Sequence, residues 1–485
     1  MGTPLFTVAE LRAIEQGEQR DLPSGELMAR AGRGAARRID ELAGARRASI
    51  CIVAGPGNNG GDGFVTAAEL AARGHEVRCV LLGAVQPSTS DAHAACERWR
   101  QGGGAVLATL PDVRFGVVVD ALFGIGLARP LQDAFLEAAR WIDAHAGQVV
   151  ALDVPSGLDS NRGAWVGDVK GVRADLTVTF LGDKPGLHTG TGIDAAGTVQ
   201  VDDLGVAARS SALLLAAPDD FPGIALPRRR DTHKGSFGNV LVVGGGRGMV
   251  GAPLLAARAA LRLGAGRVYV DCVGAPDLRV DLVQPELMFR PHASIADPEC
   301  VVVGCGLGVD AKARSALSWS LARPHAVVID ADGLNLLADE PSLRTTLRAR
   351  TASTVLTPHP LEAARLLNIS AHAVQSDRIG AARALASDCR ALVILKGAGS
   401  VIAAPDGRTV INPTGSPALA TAGTGDVLAG MLGALIAQGF DAWQAVIAAV
   451  WLHGAAVRGA GDIGVTAGEL APRAVAALRG LREHD

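Results

Sequence analysis

Residues 49–74 read SICIVAGPGNNGGDGFVTAAELAARG, and the fold turns on how this stretch is read. A short apolar run ends in a glycine-rich turn, and an Ala/Leu-rich segment with helical character follows. Moving outward, comparable apolar runs ended by glycine recur as EVRCVLLG (76–83), FGVVVDALFG (115–124), GQVVALDVPSG (147–157) and ADLTVTFLG (174–182). Apolar runs alternating with helical segments predict a doubly wound, mostly parallel sheet with helices on both faces. Upstream, Thr7 followed by Glu10 is the spacing of a capping box, which predicts a helix there and a second one over about residues 24–42.

Downstream, residues 216–230 contain APDDFPGIALPRRR, whose three prolines and clustered charges read as a linker. A second αβ series follows with FGNVLVVGGG (237–246), RVYVDCV (267–273), ECVVVGCGLG (299–308), HAVVIDADGLNLL (325–337) and STVLTPHP (353–360). The segment ALVILKGAGSVIAAPDGRTVIN (391–412) reads as strand, turn, strand, with the reversal at PDG. The expected organisation is therefore two α/β domains, residues 1–215 and 231–485, joined by 216–230. A chain of 485 residues is long enough for two full cores.

Composition removes several classes of function. Aromatic residues make up 4% of the chain, with one tyrosine, which leaves few stacking platforms for single-stranded nucleic acid. The net charge of −3 and a single short basic run, residues 228–230, supply no electrostatic footprint for a phosphate backbone. Seven scattered cysteines without CxxC spacing fit reduced thiols in a cytoplasmic protein. No signal peptide, myristoylation signal or run of 18 apolar residues suggests a membrane.

In the first half, polar groups collect just after the expected strands: Asn58, Asn59 and Asp62, then Asp120, then Asp153 and Ser156. Ligands of open parallel sheets bind outside the carboxyl ends of the strands, so these groups are expected to line one crevice. Gly57, Gly60, Gly61 and Gly63 would let backbone N–H groups approach a pyrophosphate at a helix start. The competing readings are a tight strand-to-helix corner for the glycines and helix caps for Asp120 and Asp153. In order, AGPGNNGGDG, VVDALFGIGLARPL and ALDVPSGLDS resemble the NAD(P)H-hydrate epimerase family over about residues 7–205.

That resemblance implies that Asn58, Asn59, Gly60, Gly61 and Asp62 contact a hydrated nicotinamide nucleotide. It places Gly124, Ile125, Gly126, Leu127, Ala128, Arg129 and Pro130 there as well. Asp153 would act at the reacting ring, and Asn59, Asp120 and Ser156 would ligate K+. Lys184, in FLGDKPGLHTG (180–190), reads either as a phosphate contact or as a solvated lysine, and His188 either as a loop hydrogen-bonder or as a catalyst.

In the second half, ATAGTGDVLAGMLGALIAQG (420–439) places Gly423 and Gly425 ahead of a long helix, whose free N–H groups would form an anion hole. Asp426 enters the first turn, where the helix dipole is expected to keep it ionised as a general base; the alternative is a plain cap. GTGD before an apolar helix resembles the ribokinase-like superfamily. HKGSFGNVLVVGGGRGMVGAPLLAARAALRLGAG, VVVGCGLG, DADGLNLL, LTPHPLEAARLL and LKGAGSVI narrow this to the ADP-dependent NAD(P)H-hydrate dehydratase family, over about residues 230–475.

By that resemblance Lys396, Gly397, Ala398, Gly399 and Ser400 would line the ADP site, together with Ser416, Ala420, Thr421, Gly423, Thr424 and Gly425. Ala252, Gly306, His359, Pro360, Leu361 and Glu362 would line the hydrate site with Ala363, Ala364, Arg365 and Asp426. Mg2+ is expected with ADP, and Glu362 is a candidate ligand for it. Two residues depart from the family pattern: Leu361, where many members have glycine, and Cys305, where proline is common. Nothing near Cys305 in the sequence lowers its pKa, so it is not read as a nucleophile.

The combined expectation is a cytoplasmic, homo-oligomeric bifunctional repair enzyme acting on hydrated NADH and NADPH with ADP. No nucleic-acid or membrane partner is expected. The alternatives are a vitamin-precursor kinase of the ribokinase type with a regulatory front half, and a non-catalytic scaffold or RNA-associated role for the front half.

Overall fold

The computed structural model of the chain describes residues 2–44, 47–207 and 209–482. It divides into two compact units, Pro4–Ser211 and a second made of residues 2–3 and 212–482.

In Pro4–Ser211, seven strands form one sheet in the order Val106–Leu107, Glu76–Leu81, Ser49–Ala54, Phe115–Ala121, Ala146–Leu152, Leu176–Phe180, Thr198–Asp202. Every pairing is parallel. Side chains alternate between faces along a strand, and the two cores follow from that. Ile50, Ile52 and Ala54 join one apolar cluster, while Cys51 and Val53 join the other. The chain runs outward from Ser49–Ala54 to Val106–Leu107 and then returns to the other side with Phe115–Ala121. The reversal opens a crevice between the carboxyl ends of those two strands, the usual ligand position in such sheets. The capping box at Thr7 and Glu10 is present, and the second helix covers Glu26–Ala43.

In the sheet of the second unit, the pairings from Leu213–Leu215 across to Met288–Phe289 are parallel except for those of Val401–Ala403, which pairs antiparallel with both Leu392–Leu395 and Thr409–Ile411. The reversal expected at PDG lies between the last pair. This sheet also has a switch point, because Asn239–Gly244 is flanked by Arg267–Cys272 and by Cys300–Val303. Helix Thr424–Ala437 is buried along all of residues 427–437, so apolar residues surround it rather than forming a stripe. Its burial fixes the position of its amino terminus.

The stretch expected to be a linker, residues 216–230, belongs to this second unit. Just before it, Leu213–Leu215 forms a strand paired with Thr409–Ile411. Within it, Phe221 and Ile224 are buried in the second core, and Gly2 N donates to Asp220 Oδ1 at 2.7 Å. Two buried apolar side chains outweigh the prolines that suggested an open connection.

Candidate active sites

The crevice of the first unit is a cavity of about 750 Å³, within the range of sites for small molecules and cofactors. Gly57, Asn58, Asn59 and Asp62 line it from the start of helix Asn58–Ala72, and Gly124, Ile125, Gly126 and Leu127 line it from the neighbouring loop. Asp153 enters from the end of strand Ala146–Leu152 in the left-handed region, at φ +67°, a conformation costly for a non-glycine residue and typical of functional positions. Its Oδ2 accepts from Ile125 N at 2.9 Å, and its Oδ1 pairs with Lys184 Nζ at 2.9 Å. A Cβ on Gly124 would lie 2.4 Å from Asp153 Oδ2, so that contact requires glycine.

Lys184 is neither solvated nor free to reach a phosphate. It is 1% exposed, and its ammonium also donates to Thr179 Oγ1 at 2.6 Å and to the carbonyls of Phe180 and Gly182 at 3.0 Å. His188 takes the role of a loop hydrogen-bonder, its Nε2 lying 2.8 Å from Asp183 Oδ1.

Beneath the cavity, the fully buried Asp120 accepts from Ser156 N at 2.8 Å and Ser156 Oγ at 2.7 Å. Burial pushes the Asp120 carboxyl up to about 6, and its bonds from Ser156 and Leu122 oppose the rise. The side chain of Asn59 is 8% exposed, and neither its Oδ1 nor its Nδ2 has a hydrogen-bond partner. A buried amide without partners is costly unless a ligand engages it.

In the second unit, Asp426 lies in the first turn of Thr424–Ala437, behind Gly423 at φ +88°. Ligand atoms of Asp426, Asp330 and Cys305 all lie within 4.8 Å of one another. Lys396 Nζ pairs with Asp330 Oδ1 at 2.7 Å, and Thr357 Oγ1 donates to the same oxygen at 2.7 Å. Burial, followed by the charge of Asp330, pushes Asp426 up to about 6, against the pull of the Cys305 hydrogen bond and of Lys396. The helix dipole therefore does not hold this carboxyl low, as its position in the sequence suggested. Desolvation beside a second carboxylate is the stronger effect.

A neutral His453, lowered to about 4 by burial, fixes the helix start by donating from Nε2 to Thr424 O at 2.9 Å. A separate cavity of about 350 Å³ lies between Pro413–Ser416 and residues 454–462.

Two family models match the chain: "YjeF-related protein N-terminus" over residues 24–186 and "NAD(P)H-hydrate dehydratase" over residues 240–475. The Bifunctional NAD(P)H-hydrate repair enzyme Nnr of Coxiella burnetii is 36% identical, covering 97% of this chain and 97% of that protein. The enzyme of the same name from Escherichia coli is 36% identical over 89% of this chain and 84% of its own length. The chain belongs to the bifunctional NAD(P)H-hydrate repair enzyme family. Among solved structures, the ADP/ATP-dependent NAD(P)H-hydrate dehydratase of Bacillus subtilis, co-crystallized with ATP/Mg2+, is 28% identical. The match covers 54% of this chain and 96% of that one, with a TM-score of 0.46.

Within this family member, several residues expected to touch ligand lie outside the lining of the two cavities described above. Gly60 and Gly61 are buried, and a Cβ on either would strike Gly55 O at 2.0 Å or Met28 Cε at 2.5 Å. Their glycine character serves close packing of the helix rather than phosphate approach. Ala128 and Arg129 are exposed beyond the cavity, and Pro130 packs against Gly167. Ala363 and Ala364 are buried in helix Pro360–Leu367.

The capping box of that helix uses His359, whose Nδ1 accepts from Leu361 N at 3.0 Å, and Glu362, whose carboxyl burial pushes up to about 7. Arg365 Nη1 donates to Asn335 Oδ1 at 2.6 Å. Gly306 and Ala252 are adjacent, with a Cβ on Gly306 reaching the Ala252 Cβ at 3.1 Å. Ser416 lines the smaller cavity, whereas Lys396 lies with Asp330 beside Gly425. The residue that the sequence reading missed is Asp330. It is visible as the acid that ends strand Ala326–Ile329, but only the fold sets it beside Asp426.

Proposed function

We propose that the chain repairs hydrated NADH and NADPH in two steps. The first unit interconverts the R and S hydrates, and the second dehydrates the S form at the expense of ADP, releasing AMP and phosphate. One observation carries the reading: a chain of this family keeps in each unit a desolvated or ion-paired aspartate beyond the carboxyl ends of the strands, Asp153 beside Lys184 and Asp426 beside Asp330 and Lys396.

In the first unit, the hydroxyl of the hydrate sits on a carbon bonded to the ring nitrogen. Nitrogen expels it as water once a carboxyl supplies a proton, and the planar iminium accepts water on either face. Asp153, held by Ile125 N and Lys184, stabilises that cation. Asn59, Asp120 and Ser156 would hold a potassium ion. The unpartnered buried amide oxygen of Asn59 fits such a site, and the cation would offset the charge of a pyrophosphate.

In the second unit, Asp426 takes the proton of the ring hydroxyl as its oxygen accepts the β-phosphoryl group of ADP. Phosphate then leaves with the C–O electron pair, and loss of the adjacent ring proton restores the dihydropyridine. The N–H groups at the start of Thr424–Ala437 face the transferring phosphoryl group, and the 350 Å³ cavity beside Ser416 takes the nucleoside. Magnesium would accompany the nucleotide phosphates and supply charge neutralisation there. Seven buried, unpaired cysteines support a reducing compartment.

The test is to incubate purified chain with mixed hydrate epimers and to follow both epimers and reduced cofactor by chromatography. With ADP, both epimers should be consumed; without it, only their ratio should relax. A stable phosphorylated product in place of reduced cofactor would instead favour a small-molecule kinase.

A further inference from the structure

Inversion at the hydroxyl-bearing carbon offers work for a second proton-handling group. The hydroxyl leaves from one face of the ring and water returns to the other, so protons are handled on two sides of a planar cation. Asp153 and its partner Lys184 occupy one place in the 750 Å³ cavity. A second acid lines the same cavity from outside the sheet. Glu15 lies on helix Val8–Glu18, and neither the glycine-rich turn nor the strand ends supply it.

Glu15 is half-buried, and among the described residues its side chain accepts one bond, from Gln19 Nε2 to Oε1 at 3.3 Å, which leaves Oε2 for a ligand. Burial first, and then the charge of Asp153, raises its pKa, with Arg12 opposing. Asp62, also in the cavity, is raised by burial and by the charges of Asp153 and Glu15. Glu15 thus faces apolar burial and Arg12, while Asp153 faces an ammonium, so the two acids of one cavity sit in different surroundings.

We infer that Glu15 is the second proton-handling carboxyl of the epimerase site, serving one face of the ring while Asp153 with Lys184 serves the other. This rests on the epimerase reading above. In one direction, a carboxyl gives its proton to the departing hydroxyl. The C–O pair leaves with oxygen as water, and the nitrogen lone pair forms the C=N bond. Water then adds on the opposite face, its oxygen pair making the new C–O bond, the π pair returning to nitrogen and the released proton passing to the other carboxyl. One proton has moved between the two acids, and exchange with solvent resets them.

The experiment separates departure from inversion. Each purified epimer is incubated with the full chain in ¹⁸O-water without ADP, and both the isotope in the hydroxyl and the epimer ratio are followed. Wild-type chain should exchange oxygen and invert together; if it does neither above the uncatalysed rate, the epimerase reading itself fails. Glu15→Gln should cut inversion at least a hundredfold while one epimer keeps exchanging within about threefold of wild type, because water leaves and returns through Asp153 on one face. Unchanged inversion would overturn the inference. Should exchange and inversion fall together, Glu15→Ala with added formate decides: restored inversion supports the role of Glu15, and its absence overturns it.

Discussion

Lys184 Nζ lies 2.9 Å from Asp153 Oδ1, with side-chain exposures of 1% and 14%, so the carboxylate proposed to react in the first unit rests on a buried lysine. Three further oxygens, of Thr179, Phe180 and Gly182, satisfy the same ammonium. Lys184→Met strands Asp153 and all three acceptors. Breaking a buried pair from one side costs about 3–5 kcal/mol, a loss that urea unfolding of the first unit should read. Epimer exchange should fall with it, while ADP-driven dehydration of purified S hydrate continues at the wild-type rate. Equal loss of both activities would mean that Lys184 matters to more than the first site.

Asp426→Asn separates the two activities from the other side. Dehydration should drop by about two to four orders of magnitude, as expected for a lost general base, with epimer exchange intact. Because burial raises this carboxyl to about 6, the acid limb of the dehydration rate should break near that pH. The linkage has a definite sign: the folded state binds the proton more tightly than the unfolded one. The stability contribution of the group is therefore full below the unfolded value and lost as pH rises through about 6. At about 1.4 kcal/mol per unit, Asp426→Asn should stabilise the second unit by roughly 3 kcal/mol at neutral pH and by nothing near pH 3. Melting curves at the two pH values test this.

These particular residues also mark what the sequence made legible. The strand ends that carry Asn58, Asp120 and Asp153 follow from period and punctuation, which are local properties of the chain. What eluded the reading depends on neighbours brought in by the fold. A glycine announces missing volume but not what fills it, and for Gly60 the filler is the carbonyl of Gly55 rather than a phosphate. A lysine in a glycine-rich loop looks solvated until the sheet closes over it. A carboxylate at a helix start looks ionised until Asp330 arrives from another strand. Prolines and charge around residue 220 suggested a linker, but they said nothing of the cavity that receives Phe221.

Cys305 gives a prediction of its own. Its thiol is fully buried, and burial with the neighbouring Asp330 and Asp426 charges raises its pKa well above the ordinary value, so it stays protonated and donates to Asp426. That bond lowers the Asp426 pKa. Cys305→Ala should therefore move the acid limb of dehydration to higher pH, and Cys305→Ser should move it back by restoring a donor. An aromatic disulfide reagent should leave the thiols unreacted in the native chain and titrate all seven after denaturation, because each is buried.

Gly124 offers a test of geometry without a change of charge. Its φ lies outside the left-handed region, so alanine meets no backbone penalty there; the obstacle is Asp153 Oδ2, 2.4 Å from the added Cβ. The aspartate must withdraw, weakening its bonds to Ile125 N and Lys184. Gly124→Ala should cost about a hundredfold in epimer exchange, the usual penalty for moving a reacting group by an ångström, with a smaller loss of stability than Lys184→Met because the ion pair is displaced and not removed. Gly60→Ala forms the contrast: its Cβ meets the Gly55 backbone at 2.0 Å, and backbone cannot step aside as a side chain does. That variant should lose stability before it loses chemistry, so thermal unfolding and exchange rates measured together on the two proteins distinguish a displaced carboxylate from a displaced helix.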